Sequence, residues 1–99
     1  MRLTPAQIDT IKTTAQAVLG EGTQVTLFGS RVDDDKKGGD IDLLVESSIP
    51  VINKPQVVGK MYAQLIRQLG DRKIDILVKD PTSVPTAVFE IALQTGIRL

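Results

Sequence analysis

The sequence predicts a small α/β domain in which helices lie on one face of a mixed sheet with strand order 1-2-3. Three segments repeat apolar residues at helical spacing, and three shorter segments alternate apolar with polar residues as strands do. A helical segment separates the second strand from the third, whereas the segment between the first two strands has no helical pattern. A chain of 99 residues can bury about two thirds of its unfolded surface, so residues 1–99 are expected to form one domain.

Composition narrows the possible chemistry. Twelve acidic residues balance twelve basic ones, whereas a protein that binds nucleic acid in bulk needs a basic excess. The chain has no cysteine and no histidine, which excludes disulfides, thiolate nucleophiles, histidine acid/base catalysis and the usual zinc sites. Any catalysis must therefore use carboxylates.

The first element is a helix predicted over residues 5–19. Thr4, Pro5 and Gln7 form the pattern of a capping box with proline at the first helical position. The apolar residues that follow at helical spacing are Ile8, Ile11, Ala15, Val18 and Leu19. The sequence has neither a signal-peptide pattern at its start nor an apolar run of membrane length, so a cytoplasmic protein with no membrane contact is expected.

Two strands are predicted next, over Gln24–Phe28 and over residues 40–46. The residues predicted to face the core are Val25, Leu27, Ile41, Leu43 and Val45. Residues 29–39 between the strands have no helical pattern, and a parallel crossover usually needs a dozen or more residues with a helix. The first two strands are therefore expected to be antiparallel.

A second helix and a third strand follow a loop at residues 47–55. The apolar positions of this helix and the glycine that ends it are Val57, Val58, Met61, Leu65, Ile66, Leu69 and Gly70. The third strand is predicted over residues 73–79. A helical connection favours a right-handed parallel crossover, which places the second and third strands side by side. Asp75 is then expected to lie beside the aspartates of the second strand.

A last helix is predicted near the end of the sequence. Thr82 or Ser83 is its predicted N-cap, and it ends near Gly96. Its apolar residues are Val84, Val88, Ile91 and Ala92. The apolar residues Ile97 and Leu99 follow it, and no further strand is predicted there.

Three aspartates are the most informative residues of the predicted sheet. Asp40 and Asp42 lie two residues apart on one strand and Asp75 lies on the next, so all three are expected on the face away from the helices. Aspartate is depleted in strands, and three carboxylates together repel one another. A bound divalent cation offsets this repulsion with its positive charge, and Mg²⁺ prefers the oxygen ligands that carboxylates provide. The pattern predicts a site for two Mg²⁺ ions, roughly 4 Å apart, that hold a triphosphate.

Gly29 and Ser30 follow the first predicted strand and complete this pattern. A glycine at the end of a strand lets the backbone approach a phosphate closely, and a serine offers N–H and hydroxyl donors to phosphate oxygens. Residues 29 and 30 are therefore predicted to bind phosphate groups of a nucleotide.

The ordered set of motifs resembles the polymerase-beta-type nucleotidyltransferase superfamily, and within it the minimal nucleotidyltransferases that pair with HEPN proteins. The likeness rests on residues 27–31 (Leu-Phe-Gly-Ser-Arg), 40–45 (Asp-Ile-Asp-Leu-Leu-Val) and 73–78 (Lys-Ile-Asp-Ile-Leu-Val), and residues 92–97 look similar too. The resemblance implies a nucleotidyltransferase fold and the attack of a hydroxyl on the α-phosphate of a nucleoside triphosphate, with release of magnesium pyrophosphate.

The resemblance also implies roles for individual residues. Asp40 and Asp42 would hold both Mg²⁺ ions, and Asp75 would complete the second metal site and orient or deprotonate the attacking hydroxyl. The nucleotide-binding residues would be Gly29, Ser30 and Arg31. The minimal family further implies transfer of AMP from ATP to a tyrosine of a HEPN toxin, which makes the chain an antitoxin.

The sequence departs from the family pattern at one arginine. Val32 and Asp33 follow Arg31 where the family often has a second arginine, so Arg31 alone would meet the phosphate charge. An inactive antitoxin that neutralises its partner by binding is therefore the alternative, and a magnesium-nucleotide sensor is a third interpretation. The chain has no length for an acceptor-binding domain, so a HEPN protein or a second copy in a homodimer is the expected partner.

Simpler interpretations stay open for single motifs. The aspartates could be the solvated face of an ordinary sheet, the Gly-Ser pair a plain turn, and Arg31 a solvated loop residue. Residues 33–37 are expected to form a solvated loop. An EF-hand ending at Glu46 is excluded, because Lys37 and Gly39 would occupy its ligand positions.

Three apolar residues are predicted on the same sheet face as the aspartates. Phe28, Leu44 and Leu77 alternate onto that face, where an uncovered sheet would expose them. Contiguous exposed apolar surface commonly marks an interaction site, so a nucleotide base, a loop or a partner protein is expected to cover them. Burial by the chain's own termini or by a second copy is the alternative.

Overall fold

The computed structural model describes residues 3–29, 41–70 and 73–99, and these ranges contain three helices and four strands. In chain order they are α1 (Pro5–Leu19), β1 (Gln24–Phe28), β2 (Ile41–Glu46), α2 (Lys54–Leu69), β3 (Ile74–Lys79), α3 (Ala87–Thr95) and β4 (Ile97–Arg98). This mixture confirms the predicted α/β class. No helix within the described ranges is long and apolar enough to cross a membrane.

Helix α1 begins and ends where the sequence predicts. The backbone N–H of Gln7 donates to Thr4 Oγ1 at 3.1 Å, and the backbone N–H of Thr4 donates to Gln7 Oε1 at 2.9 Å. This capping box satisfies N–H groups that have no helical partner in the first turn. At the other end the N–H of Gly20 donates to the carbonyl of Gln16.

Helix α2 begins at Lys54, one residue before the end of the predicted loop. The side-chain oxygen of Asn53 caps it by accepting the N–H of Gln56 at 3.1 Å. Pro55 lies in the first turn, where a missing N–H costs no helical hydrogen bond. The helix ends at Gly70 as predicted.

A buried carboxylate fixes the loop before α2 to the turn after β3. The side chain of Asp80 is fully buried, and its Oδ2 accepts the N–H of Val51 at 2.7 Å and lies 3.3 Å from Lys54 Nζ. Its Oδ1 accepts the N–H and the hydroxyl of Thr82 at 2.9 and 2.7 Å. The Val51 N–H above all, and then the Thr82 hydroxyl, hold the pKa of Asp80 well below its ordinary value, because they favour the ionised form.

The prediction that Thr82 or Ser83 caps the last helix is wrong. Both residues bind Asp80 instead, and the Ser83 hydroxyl accepts the Asp80 N–H at 3.0 Å and donates to Asp80 Oδ1 at 3.2 Å. Thr86 caps α3, and its hydroxyl accepts an N–H of the first helical turn at 3.3 Å. Pro85 explains the later start, because a proline disfavours the helical conformation in the residue before it.

The sheet has four strands in the order β3-β2-β1-β4. Strands β1 and β2 are antiparallel and strands β2 and β3 are parallel, with α2 as the crossover, so both predicted pairings are confirmed. The predicted order 1-2-3 is present but incomplete, because β4 pairs antiparallel with the free edge of β1. A strand of two residues has too little alternation to be recognised in a sequence.

Helices α1 and α2 cover one face of the sheet, as predicted. Between them and the sheet lies a buried apolar cluster formed by Leu3, Ile11, Ala15, Val25, Leu27, Ile41, Leu43, Val45, Met61, Leu65, Ile74, Ile76 and Val78. Helix α3 is an exception to the prediction of helices on one face. It packs on β1 and contributes no described residue to this cluster. Gly96, which follows the helix, lies against the side chain of Thr26, which points away from this cluster. Helix α3 therefore covers part of the other face.

Candidate functional site

Two of the three predicted aspartates lie side by side on the sheet face away from α1 and α2. Asp42 on β2 and Asp75 on β3 are direct partners in the parallel register. Adjacent strands are about 4.8 Å apart, and partners on one face project in the same direction. Asp42 is flanked by residues of the main core and is itself half-buried, whereas Asp75 is exposed. The structure thus confirms that α2 brings these two carboxylates together.

Gly29 borders the Asp42 carboxylate. Phe28, the last residue of β1, is the antiparallel partner of Asp42, and Gly29 follows it with a φ of +77°. A β-carbon at Gly29 would overlap Asp42 Oδ2. The predicted turn therefore lies directly against the predicted metal ligand. Sequence reasoning predicted both residues but missed their contact, because no local pattern encodes it.

Three predicted site residues, Ser30, Arg31 and Asp40, lie outside the described residues, as does the acidic segment 33–37. Within the described ranges no group of three or more acidic, cysteine or histidine side chains is placed to hold a metal ion. The roles of these three residues therefore stay predictions. The described part of the site consists of the aspartate pair and the adjoining glycine.

The apolar residues on the site face are covered mainly by the chain itself. Leu44 is fully buried although it points away from α1 and α2, and Phe28 and Leu77 are half-buried. Helix α3 packs on β1, the strand next to Leu44, and contributes the fully buried Ala92. Leu44 is thus buried within the single chain and needs neither a partner protein nor a second copy to cover it.

A cluster of charged residues lies at the far end of the same sheet face. Glu46 Oε1 accepts a hydrogen bond from Arg98 Nη2 at 3.3 Å, and Glu46 Oε2 lies 3.9 Å from Lys79 Nζ. Glu46 is four residues beyond Asp42 on β2, about 13 Å away along the strand. Because two cationic groups pair with Glu46, this end of the face differs in charge from the end that holds the aspartate pair.

The aspartate pair has the chemistry of a site for a hard cation. Carboxylate oxygens are preferred ligands of Mg²⁺, which usually takes one or two carboxylates and completes its shell with water and substrate phosphates. The pair is open on the side of the exposed Asp75, which leaves room for such ligands. Gly29 places backbone without a side chain next to the pair, where a phosphate group can approach. The donors present therefore fit a magnesium-bound nucleotide.

Comparisons with known proteins agree with this geometry. A family model described as a nucleotidyltransferase domain matches residues 8–95 of the chain. The matched region contains Gly29, Asp42 and Asp75 and extends from α1 to the end of α3. A search of curated proteins found no match.

Proposed function

The chain belongs to the nucleotidyltransferase domain family, and on that premise we propose that it transfers a nucleotidyl group from a nucleoside triphosphate to a hydroxyl group. The acceptor oxygen forms a bond to the α-phosphorus, the bond from that phosphorus to the bridging oxygen breaks, and pyrophosphate leaves. The observation that carries this proposal is the pairing of Asp42 with Asp75 beside the Gly29 turn.

The Mg²⁺ ligands in this proposal are Asp42 and Asp75 together with Asp40. When bound, Mg²⁺ supplies positive charge that offsets the charge of the triphosphate and of the departing pyrophosphate. The adjacent carboxylates on β2 and β3 support this assignment, because a divalent cation between them offsets the charge of both and takes oxygen ligands from both.

The chain's own residues bind and orient the reactants. The backbone at Gly29 lets the phosphates come close, Ser30 donates hydrogen bonds to their oxygens, and Arg31 offsets their charge. Asp75 is exposed, so its carboxylate oxygen can reach the acceptor hydroxyl and take its proton during attack. Asp42 is half-buried against Gly29, which suits a ligand that must be held in place.

The finer proposal is transfer of AMP from ATP to a tyrosine hydroxyl of a HEPN toxin, with this chain as the cytoplasmic antitoxin. The motif pattern supports it, and so does the outer surface of α3. Val88 and Ile91 on α3 are 52 and 57 % exposed, and Val84, which precedes the helix, is 74 % exposed. Several exposed apolar side chains on one short segment are typical of a protein contact, here with the acceptor protein or with a second copy.

A binding-only antitoxin is the second candidate. The missing second arginine after Arg31 favours it, because fewer positive charges are left to hold the triphosphate. The exposed apolar surface of α3 serves this candidate equally well, since neutralisation by contact requires an interface and no transfer.

Labelled ATP separates the two candidates. The protein is incubated with Mg²⁺, labelled ATP and the product of any adjacent HEPN-type reading frame, and the label on each protein is measured. Asp42→Asn should abolish labelling, whereas Asp9→Asn, an exposed acid on α1, should leave it unchanged. Neutralisation of the partner without label transfer would support the binding-only antitoxin and refute the enzyme.

A further inference from the structure

Gly29 has an unusual environment for a glycine at the end of a strand. Its φ of +77° lies in a region that L side chains rarely adopt. A β-carbon there would also lie 3.0 Å from Asp42 Cγ and 3.3 Å from Asp42 Cβ, and closer still to Asp42 Oδ2. The backbone conformation therefore favours glycine, and a β-carbon could be accommodated only if the Asp42 carboxylate moved.

Comparison with the other described glycines separates these two requirements. Gly20 and Gly70 also have positive φ, at +102° and +91°, yet a β-carbon at either would have no atom within 4 Å. Gly29 alone among the described glycines combines a positive φ with a neighbouring side chain, and that side chain is a predicted metal ligand. The effect of its contact with Asp42 can therefore be separated by experiment from the effect of its positive φ.

We propose that Gly29 is a positioning residue for the Asp42 carboxylate, in addition to any contact it makes with phosphate. The Gly29 backbone forms one wall beside the carboxylate, and a β-carbon would push Oδ2 out of its present rotamer. Mg²⁺ demands near-ideal octahedral geometry, so a displaced ligand weakens the site. The inference rests on the proposed function in one respect, namely that Asp42 is a metal ligand.

The expected consequence is a loss of cation affinity in the absence of nucleotide. If Gly29 acted only through phosphate, its substitution would leave the affinity of the nucleotide-free protein for a divalent cation unchanged. If it positions Asp42, that affinity falls, and disturbed support of a metal ligand typically costs 10–100-fold.

Binding of Mn²⁺ to the nucleotide-free protein, followed by its paramagnetic resonance signal, tests this directly. Gly29→Ala should bind Mn²⁺ at least about 10-fold more weakly than wild type. Gly70→Ala, at another glycine with positive φ but with no atom within 4 Å of a β-carbon, should bind as wild type does. If Gly29→Ala bound Mn²⁺ as tightly as wild type, the positioning role of Gly29 would be overturned and the metal site would stand. Absence of Mn²⁺ binding by wild type would overturn the metal site itself and this role with it.

A double-mutant cycle with Tm as the readout tests the proposal even if Gly29→Ala folds poorly. Asp42→Ala removes the carboxylate that the new β-carbon would overlap, so Gly29→Ala should lower Tm by less in that background than in wild type. Equal losses of Tm in both backgrounds would show that the contact with Asp42 does not matter and would overturn the proposal.

Discussion

Leu44→Ala tests whether the site face around Leu44 is covered in the isolated chain. The Leu44 side chain is fully buried on that face. The substitution removes three carbon atoms, which at about 0.8 kcal/mol for each buried group corresponds to roughly 2.4 kcal/mol of lost transfer free energy. A cavity left at this position adds to this cost, because buried Leu→Ala substitutions reach roughly 3–5 kcal/mol where the site cannot collapse. We expect the free energy of unfolding to fall by about 3 kcal/mol.

Urea unfolding followed by circular dichroism measures this change. Leu43→Ala is the matched control, since Leu43 is equally buried but faces the core under α1 and α2, and its loss should be of similar size. Leu77→Ala should cost clearly less, because Leu77 lies on the same face as Leu44 and is only half-buried. A loss below about 1 kcal/mol for Leu44→Ala, beside a full loss for Leu43→Ala, would refute the burial of Leu44 in the isolated chain.

Three further substitutions test a buried hydroxyl, the buried carboxylate and the outer surface of α3. The Thr26 hydroxyl is buried with no hydrogen-bond partner among the described residues. In urea unfolding, Thr26→Val should therefore leave the free energy of unfolding unchanged or raise it by about 1 kcal/mol, and a clear loss would contradict this. Asp80 has a lowered pKa in the folded state, so it stabilises the fold above its unfolded pKa of about 3.9, and this contribution is lost as pH falls below that value. Asp80→Asn should therefore unfold at lower urea than wild type at pH 7, by a gap that narrows below about pH 4; a gap independent of pH would contradict the assignment. Ile91→Asp should weaken binding of the partner protein at least about 10-fold in a pull-down or calorimetric titration. Ile52 is fully exposed in the loop before α2, and Ile52→Asp should leave this binding unchanged. Equal effects of the two substitutions would rule out α3 as the contact.

The pairing of the two described aspartates was predictable because general rules determine it. Strand alternation places Asp42 opposite the core residues of β2, and the right-handed crossover through α2 places β3 beside β2. The start of α1 was predictable for a similar reason, because both members of its capping box, Thr4 and Gln7, lie within four residues of sequence.

Features that depend on contacts distant in sequence were not predictable. Asp80 binds the N–H of Val51, some thirty residues earlier, and this long-range contact holds the carboxylate that also binds Thr82 and Ser83 and so removes them as caps of α3. Strand β4 has two residues, and its position depends on the free edge of β1. The packing of Gly29 against Asp42 likewise joins two strands and has no local signature.

The position of the label in ATP tests the central claim most directly. A nucleotidyltransferase moves the α-phosphate to the acceptor and releases the β- and γ-phosphates as pyrophosphate. With Mg²⁺ present, α-labelled ATP should therefore label an acceptor protein and γ-labelled ATP should yield only labelled pyrophosphate, and both signals should vanish in Asp42→Asn. Label transferred from the γ-position, or transfer that persists in Asp42→Asn, would contradict the assignment of the Asp42 and Asp75 pair as the site of nucleotidyl transfer.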